Sequence, residues 1–80
     1  MSRDTSITLL IPDTEYRAWM NKDSHGVNYV IRNWKTNRVL KASTLPSRLH
    51  TYVDKILAAS EYRTASSNRD VIVGYLATLI

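Results

Sequence analysis

Eighty residues, a formal net charge of +4, a sequence pI near 9.7 and a hydrophobic content of 44% predict one small basic globular domain covering 1–80. The chain has no Cys, which excludes disulfide staples and thiolate metal ligands, and its hydrophobic fraction excludes a disordered tail. The opening "MSRDTSITLLIPD" carries too short an apolar run for a secretory signal, and no run is long enough to span a bilayer. The expectation is a soluble cytoplasmic protein with no membrane partner.

Taken in chain order, "SITLLI" is β-branched and ends at Pro12, which predicts a strand. "EYRAWMN" alternates weakly, and "KDSHG" is a turn signal. "VNYVIRNW" and "RVLKAST" flank Lys35-Thr36-Asn37, where Asn tolerates positive φ, so residues 27–34 are expected to pair antiparallel with 38–44. Leu45, Leu49, Tyr52, Val53, Ile56 and Leu57 recur at helical steps and predict a helix over 46–59. Pro46 suits its first turn and Thr44 its cap. "SEYRTASSN", from Ser60 to Asn68, reads as a linker. A second helix over 68–79 follows, capped by Ser66, Ser67 or Asn68, with Asp70 favouring its dipole. Val71, Ile72, Tyr75, Leu76 and Leu79 form its stripe. With Val73 and Ile80 added, it carries more apolar surface than one stripe needs, which points to a homodimer through this helix. Gly74 is expected to admit a close neighbour.

The fold class expected is α+β: a small antiparallel β-meander of three or four strands followed by two C-terminal helices. The alternative is a ribbon-helix-helix arrangement, because Val27, Val30, Ile31 and Trp34 have helical spacing. Ser6, Thr8 and Leu10 would then face a DNA groove. Asn33, Thr36 and Asn37 argue against that second helix.

Charge is unevenly placed. Between Ser24 and Val53 lie Arg32, Lys35, Arg38, Lys41 and Arg48 and no acid. A two-residue loop at Thr36-Asn37 would pair Trp34 with Val39, Arg32 with Lys41 and Val30 with Ser43. Tyr29, Ile31, Asn33, Leu40 and Ala42 would take the opposite, core-facing side. Arg32 and Lys41 would then be like charges directly opposed beside Trp34, an arrangement that costs stability unless an anion lies over it. Cations and a Trp on an open sheet also suit stacking on bases. The bland alternative has Trp34 covering a second small core or a dimer partner while the cations extend past it. A three-residue loop would separate Arg32 from Lys41.

"GVNYVIRNWKTNRVLKAST", then "SRLHTYVDKILAAS", resembles the core of the GIY-YIG nucleases over residues 26–59. Gly26-Val27-Asn28 stands where the first motif strand would be, Leu40-Lys41-Ala42 where the second would be, and Arg48 near the helix Arg. Both motif tyrosines are replaced, by Asn28 and Leu40, and Glu61 is the sole downstream Glu for a metal. The resemblance implies a small sheet-and-helix fold and a nucleic-acid surface without the cleavage chemistry.

Other chemistry is sparse. His25 and His50 have no Cys or carboxylate at ligand spacing, so neither metal nor cofactor is expected. His50 and Asp54, one helical turn apart, are expected to form a surface pair. Asp13 and Glu15 read as solvated, Tyr16, Tyr52, Tyr62 and Tyr75 as core or rim, and no Gly-rich phosphate loop exists. The expected function is therefore binding rather than catalysis. Nucleic acid is the first partner, contacted by Arg32, Trp34, Lys35, Arg38, Lys41 and Arg48. The alternatives are a phage or mobile-element inhibitor or accessory module that meets an acidic host protein, and a ribbon-helix-helix repressor.

Overall fold

Buried residues at every second position mark the strands. Ala18 and Met20, then Val27, Tyr29 and Ile31, are each almost fully buried while the residues between them are more open. The computed structural model describes residues 6–59 and 62–80. It contains β1 (Ser6–Leu10), β2 (Tyr16–Asp23), β3 (Gly26–Asn33) and β4 (Val39–Thr44), joined as one antiparallel meander in the order β1-β2-β3-β4. A 3-10 turn (Ser47–Leu49) leads into α1 (His50–Ala58), and α2 (Tyr62–Ala77) follows. The fold is α+β, as the residue patterns predict.

The ribbon-helix-helix alternative fails at Tyr29. A helix using Val27, Val30, Ile31 and Trp34 would turn Tyr29 away from its stripe. The structure buries Tyr29 and pairs residues 28–32 with β4. The repressor reading falls with that fold.

One sheet face is the core face. Ile7 pairs Met20 and Leu9 pairs Ala18 from β1 to β2, and Met20 pairs Tyr29 and Ala18 pairs Ile31 from β2 to β3. Leu45 just after β4, Leu49 from the 3-10 turn, Val53 and Ile56 from α1, and Ile72 and Leu76 from α2 close over it. Lys22, on that side, makes an ion pair with Asp54 of α1. Asp54 therefore serves Lys22, not His50 as the helical spacing suggests. The His50 ring instead donates from Nε2 to the Leu45 carbonyl at 2.8 Å and packs against Gly26. Gly26 has φ of 135°, and a β-carbon there would meet the ring at 3.0 Å, so the tight turn and the close approach both require glycine.

The helix ends differ from expectation. Thr44 belongs to β4, and Pro46 occupies the position before the 3-10 turn with no side-chain cap. α2 begins at Tyr62, so Ser66, Ser67 and Asn68 lie inside the helix rather than in a linker or at its cap. No Gly or Pro interrupts residues 62–68, and with Arg63 and Ala65 as good helix formers they extend a helix whose far end is anchored by Ile72 and Leu76. Ser60 and Glu61 lie outside the described residues. Among the described residues nothing lies within 4 Å of a β-carbon built on Gly74, so none of them is the close neighbour expected there. Tyr16, Tyr52 and Tyr75 pack at the rim of the core, and the Tyr62 side chain is outside the described part.

Candidate nucleic-acid interface

The helices cover one side of the sheet and leave the other open. Strand alternation and register place three rows of side chains on the open face. Ser6, Asn21, Asn28 and Thr44 form a polar row. Thr8, Trp19, Val30 and Ala42 form the middle row. Leu10, Arg17, Arg32 and Val39 form the third.

Arg17 and Arg32 are direct cross-strand partners. They line a shallow concavity of about 560 Å³ together with Thr8, Trp19, Val30, Trp34 and Asn37. Among the described residues no carboxylate lines it. Trp19 and Trp34 are 44% and 47% exposed, large apolar rings held open to solvent. The Arg17 guanidinium lies over the Trp34 ring at 5.9 Å and the Lys35 ammonium at 5.4 Å, so both cations are drawn to its electron-rich face.

The β3–β4 loop sets Trp34 in place. Asn33 accepts at Oδ1 from the N–H groups of Lys35 and Thr36, its own N–H donates to the Arg38 carbonyl, and Asn37 takes φ of 64°. The Trp34 N–H donates to the Glu15 carbonyl at 2.8 Å, tying the loop to the start of β2. Glu15 Oε1 pairs with Lys35 at 3.1 Å and Oε2 accepts from the Asn33 amide at 3.3 Å. These contacts, the Lys35 hydrogen bond first, hold the Glu15 carboxyl below its ordinary value. Glu15 is thus engaged rather than merely solvated.

No protein-family model, no curated protein and no solved structure matches this chain.

Of the residues expected at the site, Arg32 and Trp34 line the concavity, Lys35 borders it already paired with Glu15, and Arg38 is exposed in the adjoining loop. Lys41 does not join them. A bulge between Ile31 and Arg32 sets Lys41 opposite Ile31 and Val39 opposite Arg32, so Lys41 leaves β4 on the helix side. Ala42 pairs Val30 and Ser43 pairs Tyr29, the reverse of the expected faces. The opposed Arg32–Lys41 pair is replaced by Arg17–Arg32. Arg48 lies elsewhere, with its guanidinium over Tyr75 at 5.7 Å, linking the 3-10 turn to α2.

Two site residues escaped the sequence reading, Arg17 and Trp19. The signal was present. In "YRAWMN" the buried Ala18 and Met20 alternate with Arg17, Trp19 and Asn21, and a strand must put those three on one face.

The positions that carry the GIY-YIG resemblance fall on adjacent strands, Gly26-Val27-Asn28 opening β3 and Leu40-Lys41-Ala42 within β4. The Asn28 side chain donates to Asp23 and accepts from Thr44.

Proposed function

We propose that the open sheet face binds nucleic acid without catalysing a reaction on it. The observation that carries this reading is the cross-strand pair Arg17–Arg32 in a hollow bordered by two exposed tryptophans and lined, among the described residues, by no carboxylate. Like charges directly opposed on a sheet destabilise it, and a phosphate bridging the two guanidinium groups reverses the sign of that cost. Tryptophan beside arginine is also the pairing that serves base stacking next to backbone neutralisation. Asn28 and Leu40, at the positions that match the nuclease tyrosines, supply no phenol for a cleavage step.

A second reading rests on a different feature. Leu10 and Val39, 62% and 51% exposed, end the arginine row. Apolar ends with Trp and Arg between them match the composition of protein-interface centres, which would suit an acidic protein partner.

Fluorescence anisotropy of a labelled oligonucleotide across a salt series separates the two. Each phosphate neutralised contributes about −0.7 to the slope of log affinity against log salt on single strands and about −0.9 on duplex. The double variant Arg17→Ala/Arg32→Ala gives up the one phosphate that the two guanidinium groups share, so it is expected to lower the slope magnitude by about 0.7 on single strands and about 0.9 on duplex, and to stay folded, since it removes an opposed like-charge pair. A wild-type protein that binds no nucleic acid at low salt, or a double variant with an unchanged slope, would remove nucleic acid from this face.

A further inference from the structure

We infer that the nucleic acid taken by this face is single-stranded and extended along β2. One base stacks on Trp19, its polar edge meets Asn21, and the adjoining phosphate sits between Arg17 and Arg32. This rests on the function proposed above and specifies its ligand.

The two tryptophans are not equivalent. Trp34 has Arg17 and Lys35 over its ring. Among the described residues no cation lies over Trp19, which stands between Thr8 and Val30 in the middle row. Trp34 orients the Arg17 guanidinium, and Trp19 offers the open aromatic face.

Asn21 supplies the second observation. It is the next same-face residue after Trp19, and its half-buried side-chain amide has no hydrogen-bond partner among the described residues. A primary amide offers two donors and one acceptor oxygen, a set that matches a base edge. Its cross-strand neighbour Asn28 is already committed to Asp23 and Thr44.

Spacing decides strandedness. Successive same-face residues on a strand lie about 6.8 Å apart, roughly twice the 3.4 Å rise per nucleotide of a strand in duplex DNA. Arg17, Trp19 and Asn21 therefore match a stretched chain with unstacked bases. In a duplex the base faces are stacked on one another and offer a protein ring only their edges, so an open Trp19 gains nothing from it. The arginines, both in one hollow, converge on one phosphate rather than tracking the two backbones of a duplex.

The test uses the full chain with labelled oligo(dT) and a mixed-sequence duplex at low salt. Wild type is expected to bind oligo(dT) more tightly than duplex. Trp19→Ala should weaken oligo(dT) about five- to a hundred-fold, the worth of one stacked base, with duplex binding nearly unchanged. Trp19→Phe should restore most of the loss. In the Trp34→Phe variant Trp19 is the remaining tryptophan of two, and oligo(dT) should quench its fluorescence. Duplex bound as tightly as oligo(dT), or a folded Trp19→Ala that loses less than about twofold, overturns the inference and leaves nucleic-acid binding standing. Should Trp19→Ala unfold, the Trp34→Phe protein decides, because unquenched fluorescence at saturating oligo(dT) overturns stacking. Binding of neither probe, with binding of polyglutamate instead, overturns both proposals and assigns the face to an acidic protein.

Discussion

A β-carbon added at Gly74 would meet nothing within 4 Å among the described residues, and the residue sits inside α2. Glycine there costs helix stability through the backbone freedom it loses on folding and returns no packing. Gly74→Ala is expected to stabilise the protein by about 0.5–1 kcal/mol, measured as an upward shift of the urea midpoint with an unchanged slope. A destabilised variant would mean that the α2 surface at this point is covered. Gly26 is the counterexample within the same chain. Its φ of 135° and the His50 ring at 3.0 Å make any side chain there strained, so an identical substitution carries the opposite sign. What a glycine does is set by the torsion it holds and by the neighbour it faces.

At the scale of elements, the β3–β4 loop fixes the site through Glu15. Its carboxyl is held below 4.5 by the Lys35 hydrogen bond, then by the Asn33 amide and the Lys35 charge. A group whose folded value lies below its unfolded one stabilises above the unfolded value and loses that contribution as pH falls through the folded one. The Glu15–Lys35 link should therefore be intact at neutral pH and release Lys35 only below 4.5. The Trp34 indole resonance, which senses the ammonium over its ring, should report one transition in that range. Glu15→Gln should abolish it. A Trp34 transition centred above 4.5 would show that the carboxyl is not held by Lys35. Because the pair is exposed, its worth to global stability is small, and its role is to seat Lys35 beside Trp34.

Over the whole molecule, stability rests on a core that both helices complete. Ile72 and Leu76 are fully buried against the sheet and α1, while Val71 and Ile80 stay 40% and 47% exposed. Leu76→Ala is expected to cost about 2–5 kcal/mol, enough to lower Tm by 10 °C or more in a domain of this size. The apolar surplus that suggested a homodimer is largely absorbed into this core. Val71 and Ile80 alone fall well short of the roughly 1,200 Å² that a stable interface buries. Sedimentation at micromolar concentration should show no dimer held by α2. A dimer dispersed by Val71→Lys, with the fold retained, would reinstate that interface.

Local pattern determined the meander, the paired helices and the inward sides of β2 and β3. Alternation and helical spacing are properties of consecutive residues, and burial at Ala18, Met20, Val27, Tyr29 and Ile31 follows from them. The basic middle of the chain was legible too, and it led to Arg32 and Trp34. Only the tertiary structure decided which charges share a face. One bulged residue in β4 moved Lys41 to the opposite side, and loop length does not reveal such an insertion because its cost is settled by cross-strand packing. Arg17 lies outside the basic run, and only strand pairing brings it opposite Arg32. Glu15, Lys35 and Trp34 likewise meet because β2 begins where β3 ends. Lys22 outcompetes His50 for Asp54 because the sheet delivers an ammonium to α1 that helical spacing alone cannot show. A sequence states which residues alternate, but neighbours across strands are chosen by register, and register is a property of the whole sheet.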